Sequence, residues 1–278
     1  MPELPEIQAH VERLDAAFAG QVLDQFHPLA FTVLKTASPP PEATHGHELV
    51  FVGRRGKHVL LDFGAATFVV HLMQGGRLRV DEKQSAKPRF GQARWSFADG
   101  RALLLTEAGT ERKAGVWVVA GDPEEQAPLQ GLGPDADTVD RDALADLLAA
   151  HPMRLHGFLR DQRIIAGLGR LLANEICHRA RLSPFASTAK LDADDVTQLA
   201  EAIGVCINEG LAFERGLEEM SASADRPSHV HHRVGEPCPQ CGDVVRSVEY
   251  SRYTVAYCAQ CQTNGKVLAD NTTSKFLK

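Results

Sequence analysis

The chain has 278 residues, 44% of them hydrophobic, which suffices for a sizeable core and at this length for two domains rather than one. No run approaches the roughly 18 apolar residues of a membrane-crossing helix. The start Met-Pro-Glu-Leu-Pro-Glu has neither the basic nor the apolar stretch of a secretory signal, so a cytoplasmic protein with no membrane partner is expected. The net charge of −6 argues, as a sum, against nucleic acid, but the charge is segregated. Asp122 to Asp146 holds eight acidic residues and one basic, whereas Arg154 to Arg181 holds six arginines against Asp161 and Glu175. Arg54, Arg55 and Lys57 form a second basic group. Such a chain can bind phosphate on one side and stay soluble on the other.

In chain order, Ile7, Val11, Leu14 and Phe18 share one face of a helix predicted over 5–18, with Pro5 and Glu6 suited to its first turn. From 21 to 120 the pattern turns to short β-rich runs: 47–52, 58–63, 68–72, 77–80, 94–97, 102–106 and 116–119. Many short strands between turn residues predict a sandwich or barrel. The segment from Gly121 to Pro134 has no periodicity and reads as a linker. Helices are predicted over 140–150, 152–160, 169–180 and 193–210, with 211–220 a further candidate. A polar loop with three histidines, Ser221 to Val234, follows, and the last 41 residues read as a small β-ribbon.

That ribbon carries Cys238-x2-Cys241 and Cys258-x2-Cys261, sixteen residues apart. Two such knuckles place four thiolates at the corners of a tetrahedron, which suits one zinc ion. All four positions are protein ligands, so the zinc is structural and folds a segment too small to build its own core. Cys177 and Cys206 read as buried helix residues. His229, His231 and His232 read as loop residues, some facing phosphate.

Two further segments carry chemistry. Gly167-Leu168-Gly169-Arg170 opens an apolar helix, and glycines there let phosphate reach bare backbone amides. Arg160, Arg163 and Arg179 flank it; an ordinary tight turn between helices is the competing reading. At the N-terminus, removal of Met1 would leave the secondary amine of Pro2, a nucleophile that attacks an electrophilic sugar carbon to give an iminium. Glu3 and Glu6 lie beside it, one able to protonate the opening ring and the other to orient the amine. Read locally, the same residues suffice to start a helix and do no more.

Together, the start Pro2-Glu3-Leu4-Pro5-Glu6, the turn around Gly167-Leu168-Gly169 and the cysteine quartet resemble the formamidopyrimidine-DNA glycosylase and endonuclease VIII family. Gly53-Arg54-Arg55-Gly56-Lys57 is similar to its strand lysine motif, His71-Leu72-Met73 to the start of its intercalation loop, Leu132-Gly133-Pro134-Asp135 to its linker and Gly235-Glu236-Pro237-Cys238 to the approach to its finger. The resemblance implies an α+β fold of two domains. An N-terminal β-sandwich with flanking helices (1–121) is followed by a linker (122–134), a helix-two-turns-helix domain (135–232) and a zinc ribbon (233–278). It implies a monomer, cytoplasmic and nucleoid-associated, that holds damaged double-stranded DNA in the cleft between domains and flips the damaged nucleotide out. Pro2 would displace the oxidised base and Glu3 would be the general acid. Glu6 would support the chemistry, Lys57 would contact the lesion's phosphate, and β- and δ-elimination would cut the strand. His71, Met73, Gln74, Arg112, Lys113, Gly167, Gly169, Arg170 and Arg252 would contact DNA.

The departures are specific. The family's turn reads Gly-x-Gly-Asn, and Arg170 stands in place of the asparagine. Its finger carries an arginine five residues before the third cysteine, where Tyr253 stands, with Arg252 beside it. The Arg-Phe-Gly loop of the oxidised-purine branch is matched by Thr106 to Gly115, which has no phenylalanine, and Gln74 takes the place of that branch's inserted methionine. These changes leave the preferred base open. They keep two alternatives in view: an abasic-site lyase with little base excision, and a non-catalytic protein that binds damaged DNA.

Overall fold

The structure is a computed structural model that describes residues 1–109, 111–222, 225–250 and 253–268. It divides into two compact units, Met1–Gly131 and Leu132–Lys278.

The first unit begins with helix α1 (Leu4–Phe18), which buries Ile7, Val11, Leu14 and Phe18. Eight strands follow: β1 (Leu23–Pro28), β2 (Phe51–Arg55), β3 (His58–Asp62), β4 (Thr67–His71), β5 (Gly76–Val80), β6 (Gly91–Phe97), β7 (Ala102–Glu107) and β8 (Gly115–Val119). They form two antiparallel four-stranded sheets, ordered β1-β6-β7-β5 and β2-β3-β4-β8. The sheets meet through an aromatic cluster: Phe26 and Trp95 from the first sheet lie 4.9 and 5.6 Å, centroid to centroid, from Phe68 of the second. Trp95 and Phe68 are fully buried, and large rings in such tilted and edge-on pairs dominate the energy of a core this size.

Strand β1 was not among the runs read from the sequence. Its burial alternates poorly because a bulge between Leu23 and Gln25 shifts the register, leaving only Leu23 and Phe26 inside. A bulge breaks the two-residue period on which such a reading depends. The strand expected over 47–52 lies instead at 51–55, because the polar Gly53-Arg54-Arg55 pairs with His58–Leu60 while 47–49 make scattered bonds to residues 20, 21, 23 and 44.

The second unit contains α2 (Arg141–Ala150), α3 (Leu155–Phe158), α4 (Arg170–Arg179) and α5 (Ala193–Arg215), then the hairpin β9 (Val245–Tyr250) and β10 (Tyr253–Cys258) and a last turn, α6 (Ala259–Thr263). The start of α5 is fixed by Asp192, whose carboxylate accepts from the amides of Asp194 and Asp195. The helix ends at Arg215, with no separate helix over 211–220. The segment 132–136 packs against the turn before α4: the Gly133 amide donates to the Gln162 carbonyl at 2.9 Å, and the Ala166 amide to the Pro134 carbonyl at 2.8 Å. Among the described residues no helix is long and apolar enough to cross a membrane.

Candidate functional site

Connectivity alone brings one end of the sandwich into focus. His71, at the end of β4, pairs with His58 at the start of β3 and with Gly115 at the start of β8. Gly76, at the start of β5, pairs with Glu107 at the end of β7, and Gly91 at the start of β6 pairs with Thr106. The β2–β3 turn, the β4–β5 loop, the last residues before β6 and the β7–β8 loop therefore share one end. Lys57, His71, Met73, Gln74, Arg112 and Lys113 all sit there.

Helix α1 runs toward the same end. The Asp15 carboxylate accepts from the Val52 amide at 2.7 Å, and Gln8 accepts from the Arg54 guanidinium at 3.0 Å. The helix is thus antiparallel to β2, and its N-terminus heads for the turn at Gly56-Lys57. There Glu3 caps the helix and its amide donates to the Glu6 carboxylate at 2.9 Å, a capping box closed by two carboxylates. Pro2 is buried, as are Glu3 at 5%, Glu6 at 2% and Lys57 at 5% exposure. A capping box does its work at the surface, and a fold has no need of three ionisable side chains buried to this depth. Their burial makes this end of the sandwich the candidate site.

The two histidines here form a cross-strand pair with ring centroids 4.6 Å apart. Burial, then the neighbouring His71, holds His58 down at about 3; burial, then the charge of Lys57, holds His71 at about 4. Both rings are neutral at pH 7, and Nδ1 of His71 accepts from the Met73 amide at 3.1 Å, which leaves Nε2 as its donor. That bond shapes the β4–β5 loop, where Met73 adopts a φ of 53°. A Cβ on Gly75 would lie 2.6 Å from the Ala108 carbonyl, and one on Gly76 would run into the Leu72 carbonyl, so the loop is packed to its limit against its own base and the β7–β8 loop. Glu107, itself buried, closes the latter loop by accepting from the Ala114 amide at 2.7 Å. Sequence reasoning missed His58 and Glu107. Hairpin register between two adjacent predicted strands would have paired His58 with His71; nothing local marks Glu107.

In the second unit, Gly167 takes a φ of 100°, closed to other residues without strain, and Gly169 caps α4. Gln162 fixes the turn, accepting from the Gly167 amide at 3.0 Å and donating to the Leu168 carbonyl at 2.8 Å. Arg170 is exposed at the first position of α4, where a cation opposes the helix dipole. An anion bound at that terminus would reverse the penalty.

Glu175, also on α4 and not singled out by sequence, holds the histidine loop. Its carboxylate accepts from the amides of His229, Val230 and His231 at 2.7 to 3.0 Å. Burial works to raise this carboxyl, but bonds from the His229 ring and these amides outweigh it and bring it to about 2. Asn174 donates to Nδ1 of His231 at 2.7 Å. Two of the three loop histidines are thus positioned from α4.

The four cysteine sulfurs of the ribbon lie within 4.8 Å of one another, with Cys238–Cys261 at 3.8 Å and Cys241–Cys258 at 3.5 Å. Zinc–thiolate bonds of about 2.3 Å at tetrahedral angles put sulfurs about 3.8 Å apart, so the quartet fits that ion. Nε2 of His178, in the last turn of α4, lies 3.3 Å from the Cys238 sulfur and ties the ribbon to the helix as an outer-shell donor. Tyr253 opens β10 opposite Tyr250. Arg252 and Thr110 lie outside the described residues.

Comparison with known proteins agrees with this arrangement. Residues 1–116 match the family model of the formamidopyrimidine-DNA glycosylase N-terminal domain, and residues 131–221 that of its H2TH domain. An uncharacterized formamidopyrimidine-DNA glycosylase-like protein of Mycobacterium tuberculosis is 40% identical over 162 residues, covering 58% of this chain and all of the relative. A formamidopyrimidine-DNA glycosylase of a Shewanella species is 29% identical over 281 aligned residues, covering 95% of this chain and all of the relative. In fold, the chain matches the Lactococcus lactis formamidopyrimidine-DNA glycosylase bound to abasic-site DNA with a TM-score of 0.81 at 18% identity, covering 94% and 99% of the two chains. The Thermus thermophilus MutM (Fpg) protein gives 0.79 at 25% identity, covering 94% and 98%. A β-sandwich that buries Glu3, Glu6 and Lys57 at one end, and an H2TH unit followed by a metal-ready cysteine quartet, complete the same picture: the chain belongs to the formamidopyrimidine-DNA glycosylase and endonuclease VIII family of DNA glycosylases.

Proposed function

We propose that the protein is a bifunctional DNA glycosylase and abasic-site lyase of base excision repair, acting on oxidised bases in double-stranded DNA. The observation that carries this reading is the burial of Glu3, Glu6 and Lys57 together at the sandwich end toward which the N-terminus of α1 runs. Met1 is exposed, whereas Pro2 is buried. Once Met1 is removed, the Pro2 nitrogen becomes a secondary amine placed among these groups.

The chemistry follows from the groups present. The Pro2 nitrogen attacks the anomeric carbon as the bond to the base breaks, and the base leaves with a proton. Glu3 protonates the ring oxygen, the sugar opens, and the nitrogen lone pair completes an iminium. Glu6, fixed by the Glu3 amide, orients the nitrogen. The iminium withdraws electrons, so loss of a proton from the adjacent carbon expels the 3′ phosphate, and a second elimination expels the 5′ phosphate. Lys57 and the neutral His71 hold the phosphate that flanks the lesion; Met73, Gln74, Arg112 and Lys113 contact the duplex around it. In the second unit, Gly167, Gly169 and Arg170 bind a further phosphate at the start of α4. Zinc on Cys238, Cys241, Cys258 and Cys261 supplies folding energy to the ribbon and takes no part in the reaction; Arg252, in that ribbon, is a further DNA contact.

Borohydride trapping tests the reading. Protein lacking Met1 should become covalently linked to abasic-site DNA in the presence of the reductant, and Pro2→Gly should abolish the link. Mature protein that binds such DNA but never crosslinks would leave only a damaged-DNA-binding role. A lyase with little base excision is favoured by one feature, the lack of an aromatic residue from 108 to 114. Comparing cleavage of abasic DNA with cleavage of duplexes carrying oxidised purines or pyrimidines separates the two.

A further inference from the structure

The β7–β8 loop offers Arg112 and Lys113 but no ring with which to fill the gap left by an extruded nucleotide. A ring reaches the same end of the sandwich from another loop. Pro88, Arg89, Phe90 and Gly91 form a tight turn just before β6, closed by the Gly91 amide on the Pro88 carbonyl at 3.1 Å. Phe90 is its third residue and has a φ of 62°. That position of such a turn ordinarily goes to glycine, and a bulky side chain there is strained. The strain is held in place from both sides of the turn. The Phe90 carbonyl accepts from the Glu107 amide at 3.0 Å and from the Gln92 side chain at 3.2 Å, and the Glu107 carboxylate in turn holds the Ala114 amide.

The ring itself is half-buried and lies near two exposed guanidiniums. Arg89 is 4.7 Å from its centroid and Arg112 is 5.8 Å. A packing role would be served by a ring inside the core, and a turn role by glycine. A ring displayed on a strained turn with cations close by has the makeup of a base-stacking platform with phosphate partners beside it. Strain of this kind gathers where a side chain must be presented in one place. Met73, also at positive φ, is presented from the neighbouring loop.

We propose that Phe90 is the wedge of this enzyme: it enters the base stack beside the extruded nucleotide, stacks on the orphaned partner base, and replaces the aromatic residue that the β7–β8 loop lacks. Arg112 and Arg89 steady the ring and meet the phosphates. The proposal rests on the DNA reading above and sharpens it, because a chain with its own wedge can excise bases from intact duplex.

The test uses full-length protein and a duplex with a tetrahydrofuran abasic analogue opposite 2-aminopurine, so no chemistry is needed. At saturation, verified by anisotropy, the wild type should change the probe's emission. Phe90→Ala and Phe90→Gly should lose most of that change, and Phe90→Trp should retain it. In a parallel assay, the ratio of lesion excision from duplex to cleavage of preformed abasic sites should fall roughly tenfold or more in the Ala and Gly variants. Because glycine relieves the positive φ, Phe90→Gly should keep or raise the Tm, which separates function from folding. A saturated Phe90→Ala complex with the wild-type probe signal, or a wild type that leaves the probe undisturbed, would overturn the proposal. Failure of borohydride trapping by the wild type would instead overturn the chemistry assigned to Pro2, and the probe comparison would still decide on Phe90.

Discussion

The two units hold their working residues by different physical means. At the sandwich end, the side chains come from α1, the β2–β3 turn and three inter-strand loops, and the scaffold beneath them is an apolar core built around Trp95, Phe68 and Phe26. In the second unit the ribbon has very little core. Among the described residues its buried side chains form two small clusters, one of Val245, Ala256 and two of the cysteines against Val230 of the histidine loop, the other around Val248, Tyr257 and Ala259. The first arrangement is stable through burial and tolerates buried ionisable groups; the second, on the reading proposed above, depends on the metal ion that its four cysteines are placed to hold. On the proposed function, the chain divides the work between a reaction site on a packed scaffold and a metal-dependent grip.

Metal removal gives the largest effect and the sharpest test of this contrast. Structural zinc contributes on the order of 10 kcal/mol to a small domain of this kind. Stripping it with a chelator, or Cys258→Ser, should expose the amides of 235–262 to rapid hydrogen exchange while those of β3, β4 and β7 stay protected. Equal loss of protection in both units would break the comparison.

Within the second unit, Glu175→Gln should cost about 2–3 kcal/mol, because a buried charge-assisted acceptor for three amides is replaced by a weaker one. Urea denaturation should show this, together with faster exchange at 229–231 and unchanged protection in the sandwich.

Acid should act on both units, because burial also holds His156 and His231 of the second down at about 3 and about 4, and at the sandwich end it acts through the histidine pair. Unfolded histidine titrates near 6.5, whereas folded His58 and His71 titrate at about 3 and about 4. The unfolded state binds more protons between these limits. The stability these rings contribute is therefore complete above pH 6.5 and lost as pH falls from there toward 4 for His71 and toward 3 for His58, by about 2 kcal/mol per ring at pH 5. His58→Phe should flatten that part of the stability profile measured by denaturant titration at pH 7 and pH 5. A profile unchanged by the substitution would show that the pair carries no linkage.

The smallest expected effect is at α4. Arg170→Ala should weaken binding to damaged DNA only several-fold and uniformly across sequences, and should reduce the slope of log affinity against log salt by about 1. No change in slope would remove Arg170 from the phosphate contacts. A simultaneous rise in thermal stability of the free protein is expected, since the substitution removes a cation from the positive end of a helix.

The sequence by itself determined what depends on local spacing. Paired cysteines at a separation of two form knuckles and glycines around Leu168 open a helix, so the quartet and the turn were legible from spacing, whereas spacing left Pro2, Glu3 and Glu6 as helix starters and only the family resemblance gave them chemistry. Strand β1 was not legible because its bulge destroys the two-residue period. Tertiary structure alone decided which of these features meet. The pairing of His58 with His71 and the gathering of Lys57, Met73 and Arg112 at one end follow from strand register, whereas the grip of Glu175 on a loop more than 50 residues away follows from the packing of that loop on α4. Register is set by which faces bury together, a property of the whole sandwich. Phe90 is the clearest case: in the chain it is one aromatic among basic neighbours, and its positive φ, its partial exposure and its nearness to Arg89 and Arg112 distinguish it from a core residue.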